Sequence, residues 1–336
     1  MDEILQSPIK NKESNDDENS FIRFGSCSMQ GWRVLMEDSL ITDISKGEDN
    51  KYNIFGVFDG HGGTEVSEFV KRHFTNELIS NNNFKSGNIQ LALKETFLKI
   101  DTLMLEDKGK EELKLISEMN KKNKNNNKLN FQKDLDNESE ENSENEEENI
   151  ANEIGCTGCV SIIDEKNKKL YFANSGDSRI ILYKNKKDYQ MSIDHTPNLP
   201  EEKERIYNAK GWVMSGRINN DLSVSRGFGD FIYKNNTDLT PENQIITSNP
   251  DILIEDLNNE CDFIVIVCDG IWECLSNLEI CNFIQEKLIS KDINSGNVKL
   301  SGILECLFDN ICAKDLNVNS DIGFDNMSGI IIQFKK

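Results

Sequence analysis

Six short runs of apolar residues along the chain predict β-strands. Each run is five to seven residues long and rich in β-branched and aromatic side chains, as expected of strands. Because several runs are apolar at consecutive rather than alternate positions, they indicate strands that are covered on both faces. The runs are residues 52–58, 159–163, 169–174, 179–183, 262–268 and 328–334.

Three longer stretches place apolar residues three and four positions apart, which predicts amphipathic helices. They are residues 64–80, 276–290 and 297–314. Ser276 and Glu279 form a capping-box signature ahead of the apolar positions of the second stretch, which predicts that a helix begins there.

The order of these elements distinguishes between fold classes. Helices do not alternate regularly with the predicted strands, which argues against a doubly wound parallel sheet. Several strands follow one another across short polar turns, at residues 164–169 and 174–178. This arrangement favours antiparallel sheets covered by helices, in the α+β class.

Two polar tracts interrupt the apolar pattern. Residues 1–20 are polar and acidic, and we expect them to form a disordered tail. Residues from about 120 to 150 are rich first in Asn and Lys and then in acidic residues, and we expect them to stay in solvent as an insertion. This insertion is either tolerated without a role or binds a basic partner. We expect residues 21–336 to form a single domain that contains it.

Composition narrows the functional classes. The chain has 336 residues with a formal net charge of −21, and a chain this acidic is a poor candidate for non-specific binding to nucleic acids or anionic membranes. It has no apolar segment typical of a signal peptide, no run long enough to span a membrane, and Asp2 where N-myristoylation requires glycine. We therefore expect a cytoplasmic protein, with the nucleus as the alternative location. We also expect a monomer, although no feature of the sequence shows an interface.

The nine cysteines are odd in number and scattered, and several lie inside apolar runs. This usage is typical of reduced, buried thiols in an intracellular protein. Cys156 and Cys159 form the single CxxC pair. Two readings of this pair stay open, which are structural thiols within a strand and a metal or redox pair.

Two of the predicted strands end in the same unusual way. An apolar run leads into Asp59 and Gly60, and another leads into Asp269 and Gly270. Asp-Gly is common in turns, but a carboxylate at the end of a buried strand is partly withdrawn from water and needs a partner or a metal ion. The two strand ends could bring Asp59 and Asp269 together.

Further carboxylates stand at similar places, at Glu37, Asp38, Asp177 and Asp325. Each of them alone is typical of an ordinary turn. Together they could form a site made only of oxygen ligands, which favours Mg²⁺ or Mn²⁺ over Zn²⁺. A histidine-rich zinc site is disfavoured in addition, because the chain has only three histidines.

With these motifs in order, the chain resembles the metal-dependent serine/threonine protein phosphatases of type 2C. The resemblance implies a sandwich of two central antiparallel sheets, flanked on each side by antiparallel helices, in one catalytic domain. It covers nearly all of the chain outside the two polar tracts. The motifs are MQGWRVLMED at 29–38, FGVFDGHGG at 55–63, GCTG at 155–158, NSGDSR at 174–179, DHTP at 194–197, GRINNDLSVSRGFGD at 216–230, PDI at 250–252, VCDGIWE at 267–273 and DNMSG at 325–329.

The resemblance also implies a centre that holds two Mg²⁺ or Mn²⁺ ions. By position, Asp59 matches the aspartate that bridges both ions, and the carbonyl of Gly60 would bind one of them. Asp269 and Asp325 would bind the other. The remaining matches are to acidic positions near the ions: Glu37 and Asp38, which hold metal-bound waters or a metal, and Asp177, which is linked to a weaker third ion.

Two further residues acquire roles from the same resemblance. Arg33 matches the arginine that holds the substrate phosphate, and its planar guanidinium suits phosphate oxygens. His61 matches the proposed general acid, which would protonate the leaving oxygen of serine or threonine. The implied reaction is hydrolysis of phosphoserine and phosphothreonine in proteins, by direct attack of a water or hydroxide that bridges the two metal ions.

One departure from the family pattern affects the third ion. Glu273 stands where many members have aspartate, which puts the third site in question more than the first two. Other functions that fit parts of the pattern are a two-metal phosphodiesterase or nuclease, and a catalytically weak module with the same fold that binds phosphorylated partners.

Overall fold

The computed structural model describes residues 4–47, 51–131, 149–289, 299–316 and 322–336, and for residues 122–131 it describes the backbone alone. The described strands are β1 Ile4–Glu18, β2 Ile22–Arg33, β3 Ser39–Lys46, β4 Tyr52–Phe58, β5 Gly60–His61, β6 Gly155–Cys156, β7 Gly158–Asp164, β8 Lys169–Ser175, β9 Arg179–Lys184, β10 Lys187–Gln190, β11 Val213–Met214, β12 Arg217–Ile218, β13 Phe228–Gly229, β14 Asp251–Asp256, β15 Cys261–Val267 and β16 Met327–Phe334. The described helices are α1 Glu65–Ser80, α2 Asn82–Lys85, α3 Ile89–Leu105, α4 Asp107–Phe131, α5 Pro200–Asn208, α6 Asp269–Trp272, α7 Asn277–Ile289 and α8 Leu300–Ile311.

Two antiparallel sheets form the centre of the molecule. One has six strands in the order β1-β2-β16-β15-β9-β10, and the other has five in the order β14-β8-β7-β4-β3. The sheets face each other through apolar side chains; for example, the rings of Phe24 in β2 and Phe55 in β4 meet edge to face with centroids 5.3 Å apart. Strands apolar on both faces are required here, because each sheet is covered on its other side as well.

Helices cover the outer face of each sheet. On the six-stranded sheet, α8 packs so closely on β2 that a β-carbon at Gly25 would overlap with the backbone of Ser301. On the five-stranded sheet, α1 and α3 pack through a chain of aromatic contacts, with Phe74 between Phe58 and Phe97 at centroid distances of 5.9 and 5.2 Å. The result is the four-layer α-β-β-α sandwich that the resemblance implied.

The apolar pattern located these elements well. All six predicted strands are present, as β4, β7, β8, β9, β15 and β16, and the three predicted helices are α1, α7 and α8. The capping box at the start of α7 is confirmed, since Ser276 N donates to Glu279 Oε2 at 2.8 Å and Glu279 N donates to Ser276 Oγ at 3.3 Å.

The prediction of a disordered tail over residues 1–20 was wrong for Ile4–Glu18, which form the edge strand β1. The strand has little apolar content to bury, and two other interactions hold it. It pairs along its length with β2, and its polar side chains reach α8: Lys12 forms an ion pair with Asp309 at 2.7 Å, and Asp16 accepts from Ser301 N at 3.0 Å.

The second polar tract is partly helical, because α4 continues to Phe131. The acidic half that we predicted to stay in solvent falls on residues 132–148, which lie outside the described residues. The single-domain boundary at 21–336 stays a prediction. No helix in the described part of the chain is long and apolar enough to cross a membrane.

Both cysteines of the CxxC pair are buried, one in the three-stranded sheet and the other in the five-stranded sheet. Cys156 lies in β6 and Cys159 in β7, where Cys159 Sγ contacts the carbonyl of Ser178 at 3.3 Å. Burial raises the pKa of both thiols well above the usual value. A thiol that resists ionisation is a poor metal ligand or nucleophile, which favours the structural reading.

Candidate functional site

The predicted acidic centre lies where strands from both sheets end. β4 ends one residue before Asp59, and β15 ends two residues before Asp269, the first residue of α6. One carboxylate oxygen each of Asp38 and Asp59 and the Sγ of Cys268 all lie within 4.8 Å of one another. The sandwich therefore brings together side chains more than 200 positions apart in sequence.

Asp38 gives the clearest sign that this centre accepts a cation. Both of its carboxylate oxygens are buried, and neither has a hydrogen-bond partner within the described structure. Burial raises the pKa of Asp38 to about 6. An unpaired buried carboxylate is costly, and a divalent cation with a preference for oxygen ligands would remove that cost. The residues present therefore fit the metal ions that the resemblance implied.

Asp59 and Asp269 are perturbed by the same two kinds of cause. Burial raises the pKa of both well above the usual value, and repulsion raises it further, chiefly from Asp269 on Asp59 and from Asp177 on Asp269. The backbone of Asp59 is nevertheless fixed, because its carbonyl accepts from Thr157 N at 2.8 Å and its N–H donates to Thr157 Oγ1 at 3.2 Å. The chain thus holds like charges close together at a fixed place.

Glu37 and Asp177 belong to the same group of acids, and the pKa of each is raised to about 7. For Glu37 the largest cause is burial, opposed by the positive charge of Arg33. For Asp177 burial is again the largest cause, followed by repulsion from Asp194 and then from Glu273. Five acidic side chains in one place with raised pKa values are typical of a functional site.

The loop that contains Asp325 packs directly against the residue after Asp269. A β-carbon at Gly270 would overlap with the carbonyl oxygen of Asn326 and lie 3.1 Å from Cβ of Asp325. Only glycine allows this approach, which explains the Asp-Gly sequence after β15. Gly60 has the same role after β4, since a β-carbon there would overlap with the carbonyl oxygen of Glu37.

Asn326 orients the loop that precedes Asp38, and sequence reasoning gave it no role. Its Nδ2 donates to the carbonyls of Gln30 at 2.8 Å and Leu35 at 2.9 Å, and its Oδ1 accepts from Glu37 N at 2.8 Å. This side chain is almost fully buried. It fixes the segment between the end of β2 at Arg33 and Asp38. Its place next to Asp325 in the DNMSG motif is the sequence feature that could have pointed to this role.

Arg33 lies at the rim of the acidic centre. Its Nη2 donates to Asp325 Oδ2 at 2.7 Å, and about a quarter of its side chain is exposed. The predicted phosphate-binding residue and one predicted metal ligand are therefore in direct contact.

His61 follows Asp59 by two residues and lies in a small three-stranded sheet of order β13-β6-β5. Its Nε2 is 2.9 and 3.0 Å from the two carboxylate oxygens of Asp230. Burial is the largest single influence and lowers the pKa of His61, but the charge and hydrogen bond of Asp230 and the charges of Glu37 and Asp177 together outweigh it, so that the net shift is upward. Asp230 was not predicted as a site residue, although it ends the motif at 216–230.

The turn that carries Asp177 is held from two sides. Trp272 Nε1 donates to the carbonyl of Asp177 at 2.9 Å, and the guanidinium of Arg179 lies 3.8 Å above the Trp272 ring. On the other side, Gly176 N donates to His195 Nδ1 at 3.1 Å. Because Nδ1 accepts here, His195 carries its proton on Nε2 and donates it to Asp251.

His195 belongs to a buried ion-pair network next to the acidic centre. Glu202 accepts from Arg226 Nη2 at 2.7 Å and from Arg205 Nη1 at 2.6 Å. Arg226 also donates to Asp251 Oδ1 at 3.0 Å. These contacts account for the DHTP and PDI motifs as structural elements that support the Asp177 turn.

Comparison with known proteins agrees with this geometry. The family model described as Protein phosphatase 2C matches residues 22–117 and 103–315. The chain is 38% identical to Probable protein phosphatase 2C 21 of Arabidopsis thaliana, over all of this chain and 93% of the relative. It is 39% identical to Probable protein phosphatase 2C 4 of Paramecium tetraurelia, over all of this chain and 99% of the relative.

Solved structures show the same fold. A serine-threonine phosphatase 2C from Toxoplasma gondii matches with a TM-score of 0.68 at 16% identity, and the match covers all of both chains. A sex-determining protein of C. elegans matches with a TM-score of 0.66 at 18% identity, over 95% of this chain and 66% of the other.

Proposed function

The chain belongs to the protein phosphatase 2C family and is a serine/threonine protein phosphatase, and from this premise we propose that it hydrolyses phosphoserine and phosphothreonine with two bound Mg²⁺ or Mn²⁺ ions. The observation that carries the metal dependence is Asp38, whose two buried oxygens have no partner among the described residues. Its substrates are phosphorylated proteins, and we expect it to act as a cytoplasmic monomer.

The ligands are the carboxylates at the ends of the strands. Asp59 and the carbonyl of Gly60, which follow β4, would hold the ions together with Asp269 and Asp325. Asp269 follows β15 and Asp325 precedes β16, and both of these strands belong to the six-stranded sheet. Glu37 and Asp38 complete the set. Asp177 would belong to a weaker third site, whose affinity we expect to be low because Glu273 replaces the aspartate of many members.

When bound, the two ions would lower the pKa of a water molecule and so supply the nucleophile near neutral pH. The chain's own side chains do the rest of the work. Arg33 binds phosphate oxygens through its planar fork of N–H donors, and because it already contacts Asp325 it lies beside the ligand set. The site thereby orients the phosphate for attack from one side.

Bond breaking needs a proton on the opposite side. As the water oxygen bonds to phosphorus, the bond between phosphorus and the serine or threonine oxygen breaks, and that oxygen takes a proton. His61 is the proton donor. It follows Asp59 by two positions in the chain, and the neighbouring carboxylate of Asp230 helps to raise its pKa, which favours the protonated ring. Phosphate leaves without a covalent intermediate on the enzyme.

Metal dependence is tested with a phosphothreonine peptide and p-nitrophenyl phosphate as substrates. We expect activity after addition of Mn²⁺ or Mg²⁺, loss of activity in EDTA, and recovery when the ion is restored in excess. Turnover that persists after exhaustive EDTA treatment and dialysis would contradict the proposal.

A further inference from the structure

We propose that Asp230 is the positioning residue for His61: it holds the imidazole through Nε2 and so turns Nδ1 toward the leaving oxygen of the substrate. This inference rests on the proposed function, because it concerns how the proton donor of that reaction is oriented. Asp230 acts through His61 and has no contact of its own with the reacting atoms.

The small sheet β13-β6-β5 places the two residues opposite each other. His61 in β5 pairs with Gly155 in β6, and Gly229 in β13 pairs with the same Gly155 from the other side. Asp230 follows Gly229 directly. The side chains of His61 and Asp230 therefore meet across a single residue of the central strand.

Their contact is close and well enclosed. Nε2 of His61 lies within 3.0 Å of both carboxylate oxygens of Asp230, and only 2% of the Asp230 side chain is exposed. Since a carboxylate is an acceptor, Nε2 must be the donor in this pair. In the protonated ring, Nδ1–H is then the bond that breaks during proton transfer, and Nε2–H stays in place on the neutral ring.

Gly155 makes this contact possible. A β-carbon at position 155 would overlap with Asp230 Oδ2 and lie 2.6 Å from His61 Nε2. Any residue with a side chain would therefore separate the pair. This gives the first glycine of the GCTG motif a function that the sequence alone did not assign.

The backbone of Asp230 is held in an uncommon conformation. Asp230 has φ 54° in the left-handed region, which non-glycine residues adopt only where surrounding structure holds them. Its N–H donates to the carbonyl of Ile154 at 3.0 Å. The preceding residue is anchored too, because Gly229 N donates to Asp101 Oδ1 at 3.0 Å, and Asp101 forms an ion pair with Lys234 at 2.6 Å.

The test compares two leaving groups. Asp230→Asn should lower kcat on a phosphothreonine peptide by about 10–100-fold, by analogy with the loss that follows removal of the carboxylate that orients a metal-bound histidine. On p-nitrophenyl phosphate, whose leaving group needs no proton, kcat should change by less than about threefold, and KM should stay similar for both substrates. An equal loss on both substrates would overturn the inference and leave the phosphatase assignment intact.

Two further variants separate positioning from a general structural effect. Glu202→Gln weakens the fold away from His61, in the ion-pair network, so any loss of activity should be equal on the two substrates. His61→Gln should itself cost about 10²–10⁴-fold on the peptide, and adding Asp230→Asn to it should cause no further loss. Additive losses in this double variant would show that Asp230 acts independently of His61.

A spectroscopic measurement reads the contact without any turnover. The chain has three histidines, His61, His73 and His195, so their ¹⁵N imidazole signals can be assigned by single substitutions. In the wild-type protein, His61 should carry its proton on Nε2 in a hydrogen bond, and Glu202→Gln, which lies away from His61, should leave this signal unchanged. A His61 ring whose Nε2 carries no proton would overturn the inference even if activity behaved as expected.

Discussion

Two groups of buried or partly buried carboxylates lie side by side in this protein, and they are stabilised in opposite ways. In the acidic centre, burial and repulsion from neighbouring acids raise the pKa of Asp59 and Asp269. In the ion-pair network, burial would raise the pKa of Glu202, but Arg226 and Arg205 hold it below the usual value. The pKa of Asp251 is lowered to about 2, chiefly by its hydrogen bond from His195.

The difference lies in where the positive charge comes from. The network is complete, because the chain supplies two arginines as positive charges to its two acids and the Nε2–H of His195 as a further donor to Asp251. The acidic centre has Arg33 at its rim and leaves both oxygens of Asp38 without a partner in the described residues. A group of acids that lacks such partners is one that cations from solution would stabilise.

The two groups are also connected. His195 donates to Asp251 in the network and accepts from Gly176 in the turn that carries Asp177. The paired group therefore holds part of the unpaired group in place. We expect substitutions in the acidic centre to lower activity without loss of stability, and substitutions in the ion-pair network to lower stability.

The largest expected effect is on activity. Asp59→Asn should lower kcat by at least about 10³-fold, since metal ions supply several kcal/mol of transition-state stabilisation. The metal-free variant should be as stable as the metal-free wild type or more so, because one like charge has been removed. Turnover assays and urea unfolding in EDTA test both parts. A metal-free variant that is clearly less stable would mean that Asp59 is a structural residue.

Next comes the loss of stability in the paired network. Glu202→Gln leaves the buried Arg205 without its charged partner and Arg226 with Asp251 alone, and we expect it to lower the free energy of unfolding by about 3–5 kcal/mol. Glu204→Gln is the matched control, an exposed acid on the same helix, and it should change stability by less than about 0.5 kcal/mol. Equal effects of the two variants in urea unfolding would break the comparison.

The smallest effect is a pH-dependent gain in stability. Because the pKa of Asp38 is raised to about 6 in the folded protein, metal-free wild type should lose stability as pH rises from about 4 through 6. Asp38→Asn should avoid this loss and be more stable at pH 7 by about 1–3 kcal/mol, the usual cost of an unpaired buried polar group.

Two controls sharpen that measurement. The gain should fade as pH falls toward about 3, where Asp38 is protonated in both folded and unfolded chains, and saturating Mn²⁺ should abolish it by stabilising the wild type. Asp251→Asn should do the reverse: it should be destabilising above about pH 4, with the difference from wild type fading as pH falls toward about 2. A gain for Asp38→Asn that is independent of pH would contradict the assigned cause.

Local patterns in the sequence were sufficient for the core elements. β4 and β15 are apolar at nearly every position, so burial on both faces was the only way to remove those side chains from water. For the same reason the carboxylates that end them, Asp59 and Asp269, stand out as unusual from the apolar pattern alone. The ordered motifs then identified the family and its sandwich.

The N-terminal strand shows where local patterns fail. Ile4–Glu18 is polar along most of its length, and a segment of this composition has too little apolar surface to order itself. It becomes a strand because β2 offers an unpaired edge and α8 offers partners for its charged side chains. None of these partners is visible from the segment itself.

The sequence by itself determined which segments are buried and which carboxylates end them, because both depend on neighbouring residues. Tertiary structure alone decided which side chains meet: His61 with Asp230, 169 positions away, Asn326 with the loop before Asp38, and the two arginines with Glu202. Hydrogen bonds and ion pairs act over about 3 Å, so their partners are fixed by how the sheets and helices pack. The same packing pairs one group of acids with arginines and leaves Asp38 in the other unpaired, and this difference is what favours metal ions at the strand ends.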